Sequence, residues 1–262
     1  MKKVACALIC SAFIGCAQQP EQPALTQNPN PPSTPERTDA RSRADVHAQL
    51  GAAYYEIGNF AIALDELNEA LRADSDFGPA YNILGLVYMG LGEDARAEQS
   101  FRRALSINAQ DSDAHNNYGW FLCQRKRNEE GIKHFMSALK NPLYATPEKS
   151  YINAGICVRG LGDDKAAAEY FERALQVQPQ QPQALYQLAD LAFRRNALPE
   201  ARMYLTRLSR SGTTFNAEAL WLALRVERAL GDRDAEASYS MQLRRNFPNS
   251  RETQALLNRQ FE

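Results

Sequence analysis

The side chains most able to do chemistry in this 262-residue chain are its five cysteines and three histidines. Cys6, Cys10 and Cys16 fall in the first 16 residues, and Cys123 and Cys157 lie in the body. A thiol can be acylated, oxidised or bound to a metal. His47, His115 and His134 are far apart in sequence and show no ligand spacing with the cysteines, so neither a metal nor another cofactor is expected. No convergent set of nucleophile, base and oxyanion donors is visible, so the chain reads as non-enzymatic, without a small-molecule substrate. A formal net charge of −1 argues against broad nucleic-acid binding, which needs a basic face.

The chemistry open to Cys16 depends on what precedes it. Met1-Lys2-Lys3 is followed by an apolar run over 4–14. A basic start and a short apolar stretch read as a secretory signal, and the run is well short of the roughly 20 residues a spanning helix needs. It ends Phe13-Ile14-Gly15-Cys16, which resembles a bacterial lipobox, although Phe13 stands where Leu is usual. The resemblance implies cleavage after residue 15 and lipid on Cys16. Ala17 and Gln18 follow, rather than the Asp that marks inner-membrane retention, which implies the periplasmic face of the outer membrane. An ordinary signal peptide with an incidental cysteine is the alternative. Residues 16–43 then hold Pro20, Pro23, Pro29, Pro31, Pro32 and Pro35 without apolar periodicity, the composition of an extended tether.

Beyond the tether the chain repeats itself. Small residues stand at Gly51, Gly85, Gly119, Gly155, Ala189 and Ala223, in steps of 34, 34, 36, 34 and 34. Twelve positions after each comes a second small residue: Ala63, Ala97, Gly131, Ala167, Ala201 and Ala235. Four further on stand Leu67, Phe101, Phe135, Phe171, Leu205 and Tyr239. Two antiparallel helices approach closely only where small residues meet at the crossing and large ones fill the next groove. The period and this alternation are the tetratricopeptide signature. The expected fold is all-α: a right-handed superhelical array of six repeats, 44–77, 78–111, 112–147, 148–181, 182–215 and 216–249, with residues 250–262 as a capping helix. The third repeat carries two extra residues, placed in the stretch 141–147. Gly58, Gly92, Gly162 and Asn196 hold the turn between paired helices, and Lys126 is a poorer residue for it.

Such arrays bind partners along the concave groove lined by their first helices. Groove positions include Asn82, Met89, Asn116, Asn117, Trp120, Asn153, Arg159 and Tyr186, a mixture suited to an extended peptide or a helix. Asn117, Lys149, Asn153 and Arg159 make a fragment of a carboxylate clamp, without the full set. Cys123 and Cys157 stand late in neighbouring first helices. In an oxidising periplasm they are expected to form a disulfide; two reduced core cysteines are the alternative.

Three stretches go beyond a generic repeat: Asn116-Asn117-Tyr118-Gly119-Trp120-Phe121-Leu122-Cys123, Asn141-Pro142-Leu143-Tyr144 and Asn153-Ala154-Gly155-Ile156-Cys157. With the lipobox, tether and six repeats, the chain resembles the type IV pilus biogenesis and stability lipoproteins, or pilotins. The resemblance implies an outer-membrane lipoprotein whose partner is the pilus secretin, promoting its localisation and multimerisation. The rival reading is a repeat adaptor for another envelope machine, serving cell-wall synthesis or outer-membrane protein assembly.

Overall fold

The computed structural model describes residues 35–261, which form thirteen α-helices and, within that range, no strand. The expected signal peptide, Cys16 and the tether up to residue 34 lie outside the described residues. Helices alternate in antiparallel pairs: α1 (Pro35–Glu56) with α2 (Phe60–Ala73), α3 (Gly78–Gly90) with α4 (Asp94–Ile107), and α5 (Ser112–Gln124) with α6 (Asn128–Ala138). The series continues with α7 (Pro147–Arg159) and α8 (Asp164–Val177), α9 (Pro182–Arg194) and α10 (Leu198–Arg210), and α11 (Ala217–Leu230) and α12 (Arg233–Asn246). A short α13 (Arg251–Leu257) packs on α11 and α12. Its Leu256 joins Leu220, Leu224 and Leu243 in a terminal core. No helix among the described residues is long and apolar enough to cross a membrane.

The pairing follows from the small and large positions. Ala97, Phe101 and Ala104 of α4 are fully buried, spaced i, i+4 and i+7 along one helical stripe. A Cβ at Gly85 would lie 2.5 Å from the Phe101 ring, and one at Gly119 would lie 2.8 Å from that of Phe135. Only the absence of a side chain lets those helices approach so closely.

Between paired helices, Lys126 adopts φ 60° despite being a poor residue for the turn, as does Asn196. Backbone hydrogen bonds from Lys126 to the Cys123 carbonyl and from Arg127 to the Leu122 carbonyl, both 2.9 Å, close the turn around it. They offset the roughly 1–2 kcal/mol a side chain costs in the left-handed region.

Helix formation begins earlier than the tether composition suggests. The expected tether extends to residue 43, but α1 already starts at Pro35. Proline suits a first helical position because its φ is pre-set and its missing N–H would have no partner there. The following turns are anchored from the packed end. Ala44 and Ala48 are buried, while Arg41 lies 3.7 Å from Asp74 and 5.5 Å from the Phe77 ring centroid. Apolar periodicity misses such a stretch because a helix can extend into solvent from a buried segment.

Candidate partner-binding groove

The first helices α3, α5, α7 and α9 carry the predicted groove residues, and their amides are engaged with one another. Asn117 donates to the Asn82 side-chain oxygen at 3.1 Å, and Asn116 donates to that of Asn117 at 3.3 Å. The Asn116 oxygen in turn accepts from Ser150 at 3.0 Å and Asn153 at 3.1 Å. Asn82 and Asn116 are each only 7% exposed. The amides thus form a ladder from α3 through α5 to α7, because consecutive Asn116 and Asn117 address opposite neighbours. A ladder so enclosed holds the first helices in register, since stripping a partner from a buried amide costs about 1–3 kcal/mol.

An ionic relay continues it. Arg159 of α7 donates to the Asp190 carboxylate of α9 at 2.7 Å and to the Gln187 side-chain oxygen, and Arg194 reaches Asp190 at 3.0 Å. With Asn117, Asn153 and Arg159 engaged and Lys149 exposed, the clamp fragment is not assembled as a carboxylate site. Further along, Arg225 of α11 lies 4.5 Å from the Phe193 ring centroid and donates to the Phe261 carbonyl at 3.0 Å. Met89 packs on the Phe101–Tyr118–Leu122 cluster, and Trp120 on Phe135, Ala154 and Cys157. Tyr186 is half-buried at the far end of the groove.

Cys123 of α5 and Cys157 of α7 are joined as a disulfide, with Cα atoms 5.7 Å apart. That separation lies within the usual span of a disulfide. On the paired side of the same repeat, His115 and His134 meet through their Nδ1 atoms at 2.9 Å, and the Tyr118 ring lies 4.5 Å from that of His134. Burial, then the neighbouring His115, pushes His134 down to about 4; burial also lowers His115. At neutral pH both are uncharged and share one hydrogen bond. Sequence distance conceals this pair, yet a signal existed. His47 and Glu66 meet at 2.7 Å across the same 19-residue offset, the spacing that places positions opposite each other on paired helices. Among the described residues no group of three or more His, Cys, Asp or Glu could hold a metal ion.

A cavity of about 460 Å³ opens between α9 and the segment 211–216 that precedes α11. Leu208 and Ala219 are its buried lining; Tyr186, Gln183, Thr213, Thr214, Phe215 and Glu218 also line it. Apart from Tyr186, these residues escape the groove positions read from the repeat, because most sit at the junction of repeats five and six, where the pattern is silent.

The fold has relatives among known proteins. The tetratricopeptide repeat family model matches residues 64–208. The type IV pilus assembly protein PilF of Pseudomonas aeruginosa is 32% identical over 248 residues, 94% of each chain. The crystal structure of PilW, described as a widely conserved type IV pilus biogenesis factor, matches at 33% identity and a TM-score of 0.73, covering 82% of this chain and 98% of that one. A solved structure of the Pseudomonas aeruginosa protein matches at 31% identity and a TM-score of 0.75, covering 84% and 99%. A repeat array of this architecture, similar over nearly its whole length to such proteins, belongs to the tetratricopeptide-repeat family of type IV pilus biogenesis proteins.

Proposed function

We propose that this protein is a pilotin. It is anchored by lipid on Cys16 to the periplasmic face of the outer membrane, binds subunits of the pilus secretin through its repeat array, and promotes their outer-membrane localisation and multimerisation. The observation that carries this reading is the similarity to pilus assembly protein PilF across 94% of both chains. The architecture is consistent with it. Stacked helix pairs offer a long surface for another protein, and the amide ladder and ionic relay keep that surface rigid before binding, which lowers the ordering cost of association.

Deletion of the gene should leave secretin monomers present, deplete heat-resistant secretin multimers on gels and reduce surface pili. Normal multimers in the deletion strain would favour an adaptor for another envelope machine. Cys16→Ala should release the protein from membranes or block its processing; palmitate label persisting in that variant would rule out the lipid anchor.

A further inference from the structure

Most polar groups along the groove are engaged with one another; in the cavity beside α9 Gln187 accepts from Arg159 and Asn216 caps α11 at Ala219, but four other polar side chains are left without a partner. Asn82, Asn116, Asn117, Asn153, Arg159 and Asp190 all have side-chain partners. In the cavity, the side chains of Gln183, Thr213, Thr214 and Glu218 make no hydrogen bond or ion pair within the described residues. The cavity also has the volume of a small-molecule or side-chain site. Its walls combine the rings of Tyr186 and Phe215 with one free carboxylate, that of Glu218. Burial first, then nearby carboxylates including Glu218, push the Tyr186 hydroxyl up to about 12, so it is a neutral donor and acceptor.

We propose that this cavity receives a lysine or arginine side chain presented by an extended segment of a partner protein. Two aromatic rings and an unpaired carboxylate favour a cation and oppose an anion. The hydroxyls of Thr213 and Thr214 and the Gln183 amide can bond the partner's backbone. Residues 17–34 of this chain contain no lysine or arginine, so the tether does not supply the cation. The proposal rests on the reading of the array as a scaffold for another chain, and it names the chemistry of one contact.

The test uses the full chain, isotopically labelled, with acetylated and amidated tripeptides Ala-X-Ala in which X is Lys, Arg, norleucine or Glu. Amide chemical shifts of residues 213–219 report binding. The Lys and Arg peptides should shift these signals. Norleucine, with the same apolar stem and no charge, should bind about tenfold more weakly, and Glu should leave them in place. Glu218→Gln should bring the Lys affinity down to that of norleucine while leaving the norleucine affinity and the melting temperature unchanged. Equal affinity for Lys and norleucine, preference for Glu, or unmoved signals with the cationic peptides would overturn the proposal. None of these results bears on secretin multimers in the deletion strain, so the pocket and the pilotin reading fail separately.

Discussion

Two junctions between repeats in this array have longer linkers than the others, only the first of them through added residues, and they use that length in opposite ways. Between most successive repeats the chain needs only four residues, as in 74–77, 108–111 and 178–181. Between repeats three and four it uses 139–146, and between repeats five and six 211–216. At the first long junction the added chain folds back into the core. Asn141 donates to Ser112 at 3.2 Å, Ser112 donates to the Ala138 carbonyl at 3.1 Å, and Tyr144 is only 8% exposed. The disulfide and the Asn116 ladder then cross the same joint. At the second, Gly212 turns the chain at φ 79° and the segment arches over α9, leaving the cavity beneath it. A longer linker is thus neutral in itself. Whether it stiffens a repeat array or opens a site depends on the side chains it brings back toward the core.

The comparison breaks most readily at Phe135, which is fully buried against Ala154 and Cys157 where repeats three and four meet. Phe135→Ala should lower stability by about 3–5 kcal/mol. Phe215→Ala, at the partly buried rim of the cavity, where the ring stacks on Tyr239, should cost less, about 1–3 kcal/mol. Thermal and urea melts of both variants provide the contrast, and equal losses would show that the two junctions are packed alike. Next comes the cross-link between residues 34 apart, worth about 2–4 kcal/mol on a chain-entropy estimate. Replacing both Cys123 and Cys157 by Ser should remove that much. Mass spectrometry of periplasmically expressed protein should find no free thiol before reduction; two free thiols would leave the joint held by packing and the amide ladder.

The smallest expected effect is the pH dependence of repeat three. His134 is held at about 4 in the fold, below its ordinary value near 6.5 when unfolded. Between these values the unfolded chain binds more protons than the native one. Stability is therefore fully present above about pH 6.5 and falls as the pH drops toward 4, by on the order of 1–2 kcal/mol for this partly accessible pair. Urea midpoints across that range should show the slope in the parent chain and lose most of it in His134→Gln. A slope that survives the substitution would assign it to other groups.

The sequence alone determined the repeat count, the helix pairing and the register. Small and large residues recurring at 34-residue steps admit one close-packed arrangement of paired helices, and the 36-residue step marks the irregular joint. Cys123 and Cys157 could be placed on neighbouring helices for the same reason. Only the tertiary structure decided what the groove's polar residues do. Asn116 reads in sequence as a free amide for a partner, yet it is enclosed between Asn117, Ser150 and Asn153. His115 and His134 became a pair, Arg159 found Asp190, and the six-residue segment 211–216 left a cavity. Periodicity assigns a side chain to a helix face. Whether that side chain meets solvent, a partner or its neighbour depends on ångström-scale distances between helices, which arise only when the whole stack is packed.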